Sequence, residues 1–244
     1  MAQLYSWGAR ALFIGSALGL SPHRNAVAVV AVGLEASFEL SWNTHDYRRC
    51  RSAVIPPNTL QHFRETSGEM AFLYVDAASN DYAQLRALAA TNGERSHLDL
   101  RCEPFLIDRL NRLRTEGASR WRDVRGELDT LLNGGAARTA DARVVQTLQL
   151  IHKDPAARLP LAVLARHAKL SPSRFAALFK QTTGVPVRRY KLWVAMGAAV
   201  RSMQRGASLT AASMDAGFSS PAHFSSAYRQ MFGMEPSRLL GIAL

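Results

Sequence analysis

The 244-residue sequence predicts a two-domain α+β protein: a small β-barrel or sandwich with added helices in residues 1–134, and an all-helical domain in residues 135–244. Three observations carry this prediction. The apolar residues fall in short runs rich in β-branched side chains up to about residue 76, and take up a helical period from Ser79 onward. The triplet Asn133-Gly134-Gly135, followed by small residues up to Arg138, breaks that helical period and reads as a linker. Beyond it, a 15-residue block recurs at an offset of 49 residues.

The expected strands are residues 11–20, 27–33, 37–42, 53–55 and 70–76, separated by turn-rich stretches such as Pro56-Pro57-Asn58. Residues 11–20 resemble the core of a signal peptide. Only one basic residue precedes them, and Ser21-Pro22-His23 is a poor cleavage site, so a buried strand is the expectation. No run approaches the roughly 18 apolar residues of a membrane span. Cys50 and Cys102 form no disulfide framework or metal-ligand spacing, which fits a reducing cytoplasm. Helices follow at residues 80–90, 103–116 and 120–132. In the second of these, Leu106, Leu110 and Leu113 share one face, available either to a homodimer or to the protein's own barrel.

Past the linker, Asp141 is a plausible N-cap for a helix over residues 142–153 that Pro155 stops. Six more helical segments follow. The repeat pairs SPSRFAALFKQTTGV (171–185) with SPAHFSSAYRQMFGM (220–234). In each copy Ser caps a helix, Pro takes its first position and Gly ends it. Phe175, Leu178, Phe179 and Thr182 form the expected buried face of the first copy; Phe224, Ala227, Tyr228 and Met231 form that of the second. A short helix precedes each copy, at residues 161–168 and 209–216, so each unit reads as a helix-turn-helix. Residues 187–205 between them make a helical rod of roughly 28 Å. Successive major grooves on one face of DNA lie about 34 Å apart. Charge points the same way. Residues 1–134 carry 15 Lys/Arg and 15 Asp/Glu, whereas residues 135–244 carry 15 Lys/Arg against four acids. The whole +11 excess therefore sits in the helical domain, as a polyanion binder requires.

At these residues the sequence resembles the AraC family of bacterial regulators, over about residues 141–240. The second unit carries the pattern as Ala216-Gly217-Phe218-Ser219, His223-Phe224, Phe232-Gly233 and Pro236-Ser237; the first as Leu164-Ala165, Leu170-Ser171-Pro172, Phe175, Leu178-Phe179-Lys180 and Thr183-Gly184. The resemblance implies an N-terminal cupin-like domain that binds a small-molecule effector and often dimerises; a homodimer here is expected to use Glu103–Glu116. It further implies a C-terminal domain that binds double-stranded DNA, with RNA polymerase as a further partner. Its base-reading positions hold Ser173, Ala176, Ala177, Ala222, Ser225 and Ser226. Nearly all are short, and none makes the bidentate base contacts that dominate direct readout. Arg174 and His223 lie alongside them. Lys180, Arg188, Arg189, Lys191 and Arg229 complete the expected DNA-binding set through phosphate contacts. The family's usual Ile-Ala pair in the second unit is Ala212-Ser213 here, and a recurrent Arg of the rod is Ala195.

The expected effector pocket is placed at His23, Trp42 and His62. His23, His45 and His62 lack the spacing of a cupin metal site. No Ser/His/Asp set, phosphate loop or zinc motif replaces it, so neither cofactor nor enzymatic activity is expected. Three readings stand at this point: an effector-responsive transcription regulator, a weakly specific architectural DNA binder, and a cupin-type metalloenzyme fused to a basic domain. The fragment from residue 136 onward is expected to fold and bind duplex DNA by itself.

Overall fold

A computed structural model describes residues 2–16, 19–64, 68–92, 97–133 and 140–239. Among the described residues the first domain holds eleven strands and three α-helices, with a 3-10 turn over Gly117–Arg120. In chain order these are β1 (Gln3–Trp7), β2 (Arg10–Ser16), β3 (His23–Arg24), β4 (Ala28–Gly33), β5 (Phe38–Ser41), β6 (Tyr47–Cys50), β7 (Ser52–Ile55), β8 (Leu60–Arg64), β9 (Glu69–Val75), α1 (Asn80–Ala87), β10 (Ala89–Asn92), β11 (His97–Leu100), α2 (Glu103–Glu116) and α3 (Trp121–Asn133). One seven-stranded antiparallel sheet runs β1-β2-β9-β4-β7-β11-β10, and a four-stranded one runs β3-β8-β5-β6.

The central strands explain the unbroken apolar run of residues 27–33. Every residue of β4 is buried, because both faces of its sheet are covered. On one face Val30 and Val32, with Leu12, Ile14 and Leu73, pack on the helical layer. On the other, Val29 and Ala31, with Phe13 and Phe72, meet Phe38, Leu40 and Phe63 of the smaller sheet. Rings fill the space between the sheets: Phe63 lies 5.6 Å from Phe38 and 5.3 Å from Phe72, centroid to centroid.

The stripe Leu106, Leu110 and Leu113 is fully spent on this core, against the larger sheet. It therefore offers no dimer face. A homodimer through Glu103–Glu116 would have to use the helix's outward residues, such as Asp108 and Arg112. The expected helix over 80–90 stops at Ala87, and its last residues join the ladder as β10, paired with β11.

The second domain contains α4 (Ala142–Lys153), α5 (Leu161–His167), α6 (Pro172–Thr183), α7 (Val187–Gln204), α8 (Leu209–Asp215) and α9 (Pro221–Phe232), followed by a 3-10 turn over Pro236–Leu239. Asp141 caps α4 by accepting from the Arg143 amide. The expected linker, Gly134 to Arg138, lies outside the described residues. Among the described residues no helix is long and apolar enough to cross a membrane.

The two domains share a core. α4, α5 and α6 close one apolar cluster almost entirely from second-domain residues. The cluster around α8 and α9 instead continues into the space between the two sheets, joining Met196, Phe218, Phe224 and Tyr228 to Phe13, Phe72 and Tyr74. Tyr74 of β9 lies 5.5 Å from Trp193 of α7 and 5.6 Å from Phe232 of α9. The core of the second helix-turn-helix thus extends into the first domain, and the fragment expected to fold by itself would lack those partners.

Candidate nucleic-acid interface

Each helix-turn-helix is set by local chemistry. Ser171 Oγ accepts from the Arg174 amide (3.4 Å), Pro172 needs no amide partner, and Gly184 ends α6 at φ 80°. The second unit repeats this: Ser220 Oγ accepts from the His223 amide (3.1 Å) and Gly233 ends α9 at φ 71°. Phe224, Ala227, Tyr228 and Met231 are all buried, as the spacing predicts. In α6 the buried face is Phe175, Phe179 and Thr183, with Leu178 and Thr182 only half-buried. The chain turns Thr183 inward because its hydroxyl caps the helix end, bonding the carbonyls of Phe179 (2.9 Å) and Val185 (3.1 Å).

The repeat has a step in it. Helices α5 and α8 are related by 48 residues, whereas α6 and α9 are related by 49. The second turn holds one residue more. Both turns pass through the left-handed region, at Lys169 (φ 54°) and Gly217 (φ 87°). The additional residue, Ser219, hydrogen bonds His223 Nδ1 through its hydroxyl (3.0 Å), and the imidazole packs edge-on against Phe218.

The positions named from sequence on these two helices lie mostly at the surface, as do Gln181 and Gln230. Ser173, Arg174, Ala177 and Lys180 are exposed on α6; Ala222, His223, Ser226 and Arg229 are exposed on α9. Ala176 and Ser225 are half-buried. Arg174, Lys180 and Arg188 are exposed and carry no ion pair among the described residues. Arg229 is paired with Glu235 (3.0 Å) at the surface. Arg189 and Lys191 are engaged inside the protein. Arg189 donates to the Arg24 carbonyl of the first domain, and burial, then the charge of Arg24, lowers its pKa. Lys191 donates to the Leu159 carbonyl (2.9 Å), and burial lowers its pKa.

The ends of both exposed helices rest on the first domain. Gly184 abuts Pro57. Gly233 is held more firmly: its carbonyl accepts from the Ser21 amide (2.9 Å), and the Met231 carbonyl accepts from Asn25 (2.8 Å). His23 completes the seam. Its Nδ1–H donates to the Ser21 carbonyl (2.8 Å), its Nε2 accepts from Gln61 (3.0 Å), and burial pushes its pKa down to about 4. A second tie joins Asp76 at the end of β9 to the Tyr190 hydroxyl of α7, which in turn hydrogen bonds His152 of α4 (2.8 Å).

His23, Trp42 and His62 have separate surroundings. His23 is part of the seam, His62 bonds the Tyr47 hydroxyl (2.6 Å), and the buried Trp42 indole N–H has no partner within the described residues. His45 lies in an exposed turn. A cavity of about 100 Å³ lies instead between the domains, where β1 and β2 face α7. Leu4, Phe13, Trp193, Met196 and Val200 line it, with Arg201 and His152 at its edge. Arg10, also on its wall, is held by Asp81 (2.7 Å) and by Asp129. Arg201 carries no ion pair among the described residues, and burial followed by the nearby Arg205 lowers its pKa. Sequence reading missed this site, because its residues are far apart in the chain and no motif links them.

Comparison with known proteins agrees with this geometry. A family model described as "Helix-turn-helix domain" matches residues 164–241. AraC-like transcription regulators of Streptomyces antibioticus and Streptomyces lividans are each 33% identical over 106 residues, 43% of this chain and 35% of theirs. This chain thus spans about a third of the length of those relatives. Among solved structures, an apo point variant of ToxT from Vibrio cholerae superposes with a TM-score of 0.64 over 98% of this chain and 99% of that one, at 12% identity. Wild-type ToxT with unsaturated fatty acid bound superposes with a TM-score of 0.57 over 100% of this chain and 95% of that one, again at 12% identity. The fold is therefore the two-domain α+β arrangement of a sheet-rich first domain and a helix-turn-helix second domain. Its paired, capped units and the matched residues make its C-terminal domain similar to a helix-turn-helix family and to the AraC-like regulators above.

Proposed function

We propose that this protein is a DNA-binding transcription regulator, with α6 and α9 entering successive major grooves. The carrying observation is the pair of capped helices whose outward faces are exposed on a domain holding the whole positive excess. Helix α7 has 18 residues, hence about 27 Å of rod between the units. Affinity comes from phosphate contacts at Arg174, Lys180 and Arg188, with Arg229 joining when it exchanges Glu235 for phosphate. Arg189 and Lys191 act at one remove, holding α7 in place. Short side chains at Ser173, Ala177, Ala222 and Ser226 limit direct readout and leave His223 the best-positioned reader, steadied by Ser219 and Phe218. Selection of bound genomic fragments by the purified chain tests this. A shared motif with two half-sites about one helical turn apart is the expected outcome; enrichment no better than random fragments would reject sequence-specific regulation and leave an architectural binder.

Effector control is assigned to the interdomain cavity rather than to the space between the sheets, which rings fill. A carboxylate would pair with Arg201 while an apolar body lies among Phe13, Trp193 and Val200. The fatty acid bound by ToxT, a protein of the same fold, supports that ligand class. The cavity is smaller than the roughly 300–1,000 Å³ of ordinary ligand sites. A larger ligand therefore enters by moving α7 relative to β1 and β2, and this motion would reach both helix-turn-helix units. Titration with a long-chain unsaturated fatty acid, followed by Trp193 fluorescence, should saturate in the wild type and weaken about tenfold in Arg201→Ala. An unchanged affinity in the variant would remove Arg201 from the site.

A further inference from the structure

A second and larger cleft, of about 690 Å³, lies wholly within the helical domain. It runs from α6 across the first half of α7 to the turn between α8 and α9. The 155–161 loop forms its far wall. Its size falls within the range of small-molecule sites. The walls are apolar and mostly short: Ala156, Leu159, Leu161, Ala176, Ala195 and Ala216. Two features of the sequence shape it: the short Ala195 side chain leaves room along α7, and Gly217 lets Ala156 approach to 3.2 Å from where its Cβ would be, closing one end.

Its charge is one-sided. Arg158, Lys180, Arg188 and Lys191 lie around it, and no acidic residue is among its lining residues. Lys191 is the deepest of the four, with one proton on the Leu159 carbonyl and two left for an incoming group. Leu161, on the apolar wall, is one of three large hydrophobic residues exposed among the described residues. An inorganic anion would satisfy the cations and leave the apolar wall wet; a neutral apolar molecule would leave the cations without a counter-charge. We propose that this cleft binds an amphiphilic organic anion, an apolar or aromatic body bearing one carboxylate, sulfonate or phosphate. Ala177, Lys180 and Arg188 belong both to the cleft and to the face assigned to DNA, so an occupied cleft excludes the duplex from α6. This exclusion rests on the DNA-binding reading; the site itself does not.

The probe is 8-anilinonaphthalene-1-sulfonate, titrated into the full chain and followed by methyl NMR. The expected result is saturable shifts at the methyls of Leu161, Ala176, Ala195 and Ala216. Ala177→Trp plugs the cleft from an exposed position, and Arg188→Glu reverses one of its charges. Each should weaken probe binding about tenfold or more while the unliganded spectrum stays that of a folded protein. Shifts confined to Val200 and Ala11, which line the interdomain cavity, would overturn the site, as would wild-type affinity in both variants. Addition of duplex DNA bearing the selected site should reverse the shifts; DNA and probe bound together would overturn the exclusion. If the chain binds no duplex yet the cleft methyls still move, the site stands and the DNA reading falls.

Discussion

At the scale of single residues, two positions carry measurable strain or charge. Lys169 adopts φ 54° in the first turn, where the second turn uses Gly217. The left-handed conformation costs a non-glycine residue about 1–2 kcal/mol, partly offset by the greater freedom glycine gains in the unfolded chain. Lys169→Gly should therefore raise stability by about 0.5–1 kcal/mol in a urea titration; a loss would mean that the Lys169 side chain makes a stabilising contribution larger than its backbone strain. His23 carries the pH dependence. Its folded pKa, lowered to about 4 chiefly by burial, lies below the ordinary 6.5, so the unfolded state binds more protons between the two values. The stability it contributes is present above about pH 6.5 and is lost as pH falls toward 4, about 3 kcal/mol in all. Protonation places an N–H on Nε2 against the Gln61 amide that now donates to it, so the seam to α9 should loosen first. Thermal unfolding of wild type and His23→Gln from pH 7.5 to 4 tests this: the wild type should lose more stability, and parallel curves would exclude His23 as the source.

At the scale of elements, the helices were legible and half of the strands were not. Repeated Ser-Pro starts, glycine ends and 3.6-residue stripes fixed α4 to α9 to within a residue or two, since each signal is local. β6 reads Tyr-Arg-Arg-Cys with only Cys50 buried, and β8 reads Leu-Gln-His-Phe-Arg with the polar Gln61 facing inward and Leu60 half-exposed, so neither shows the usual alternation. Ala89 and its neighbours favour a helix by propensity, and only the ladder to β11 overrides it. For the site, the sequence showed which α6 and α9 residues face outward, but Arg189 and Lys191 were indistinguishable from surface cations until their tertiary partners were seen. The two helix-turn-helix cores differ in consequence. Phe175→Ala removes a ring from a cluster belonging almost wholly to the second domain, whereas Phe224→Ala opens the core shared with the sheets. Each should cost roughly 3–5 kcal/mol. Only Phe224→Ala should also raise hydrogen exchange in β9 and β2; equal protection of those strands in both variants would contradict the shared core.

At the scale of the molecule, the first domain is the seat on which the two helix-turn-helix units are aligned. The Ser21–Gly233, Asn25–Met231 and Asp76–Tyr190 bonds, with the Tyr74–Trp193–Phe232 ring cluster, couple α7 and α9 to the sheets. A fragment beginning near residue 140 exposes Trp193 and Phe232, which Tyr74 of the sheet covers in the full chain. It is expected to keep the α4–α6 unit, melt at lower temperature and self-associate. None of this was visible in the sequence, where the Gly134-Gly135 break and the charge split suggested independent halves. The central claim, that the helical domain holds DNA chiefly through its phosphates, is tested most directly by fluorescence anisotropy of a labelled duplex titrated with full-length protein across a salt series, for the wild type and Arg188→Ala. The account predicts a steep linear fall of log affinity with log salt, similar for the selected site and scrambled DNA, and a slope shallower by about one in Arg188→Ala. A flat salt dependence, or a slope that Arg188→Ala leaves unchanged, would contradict it.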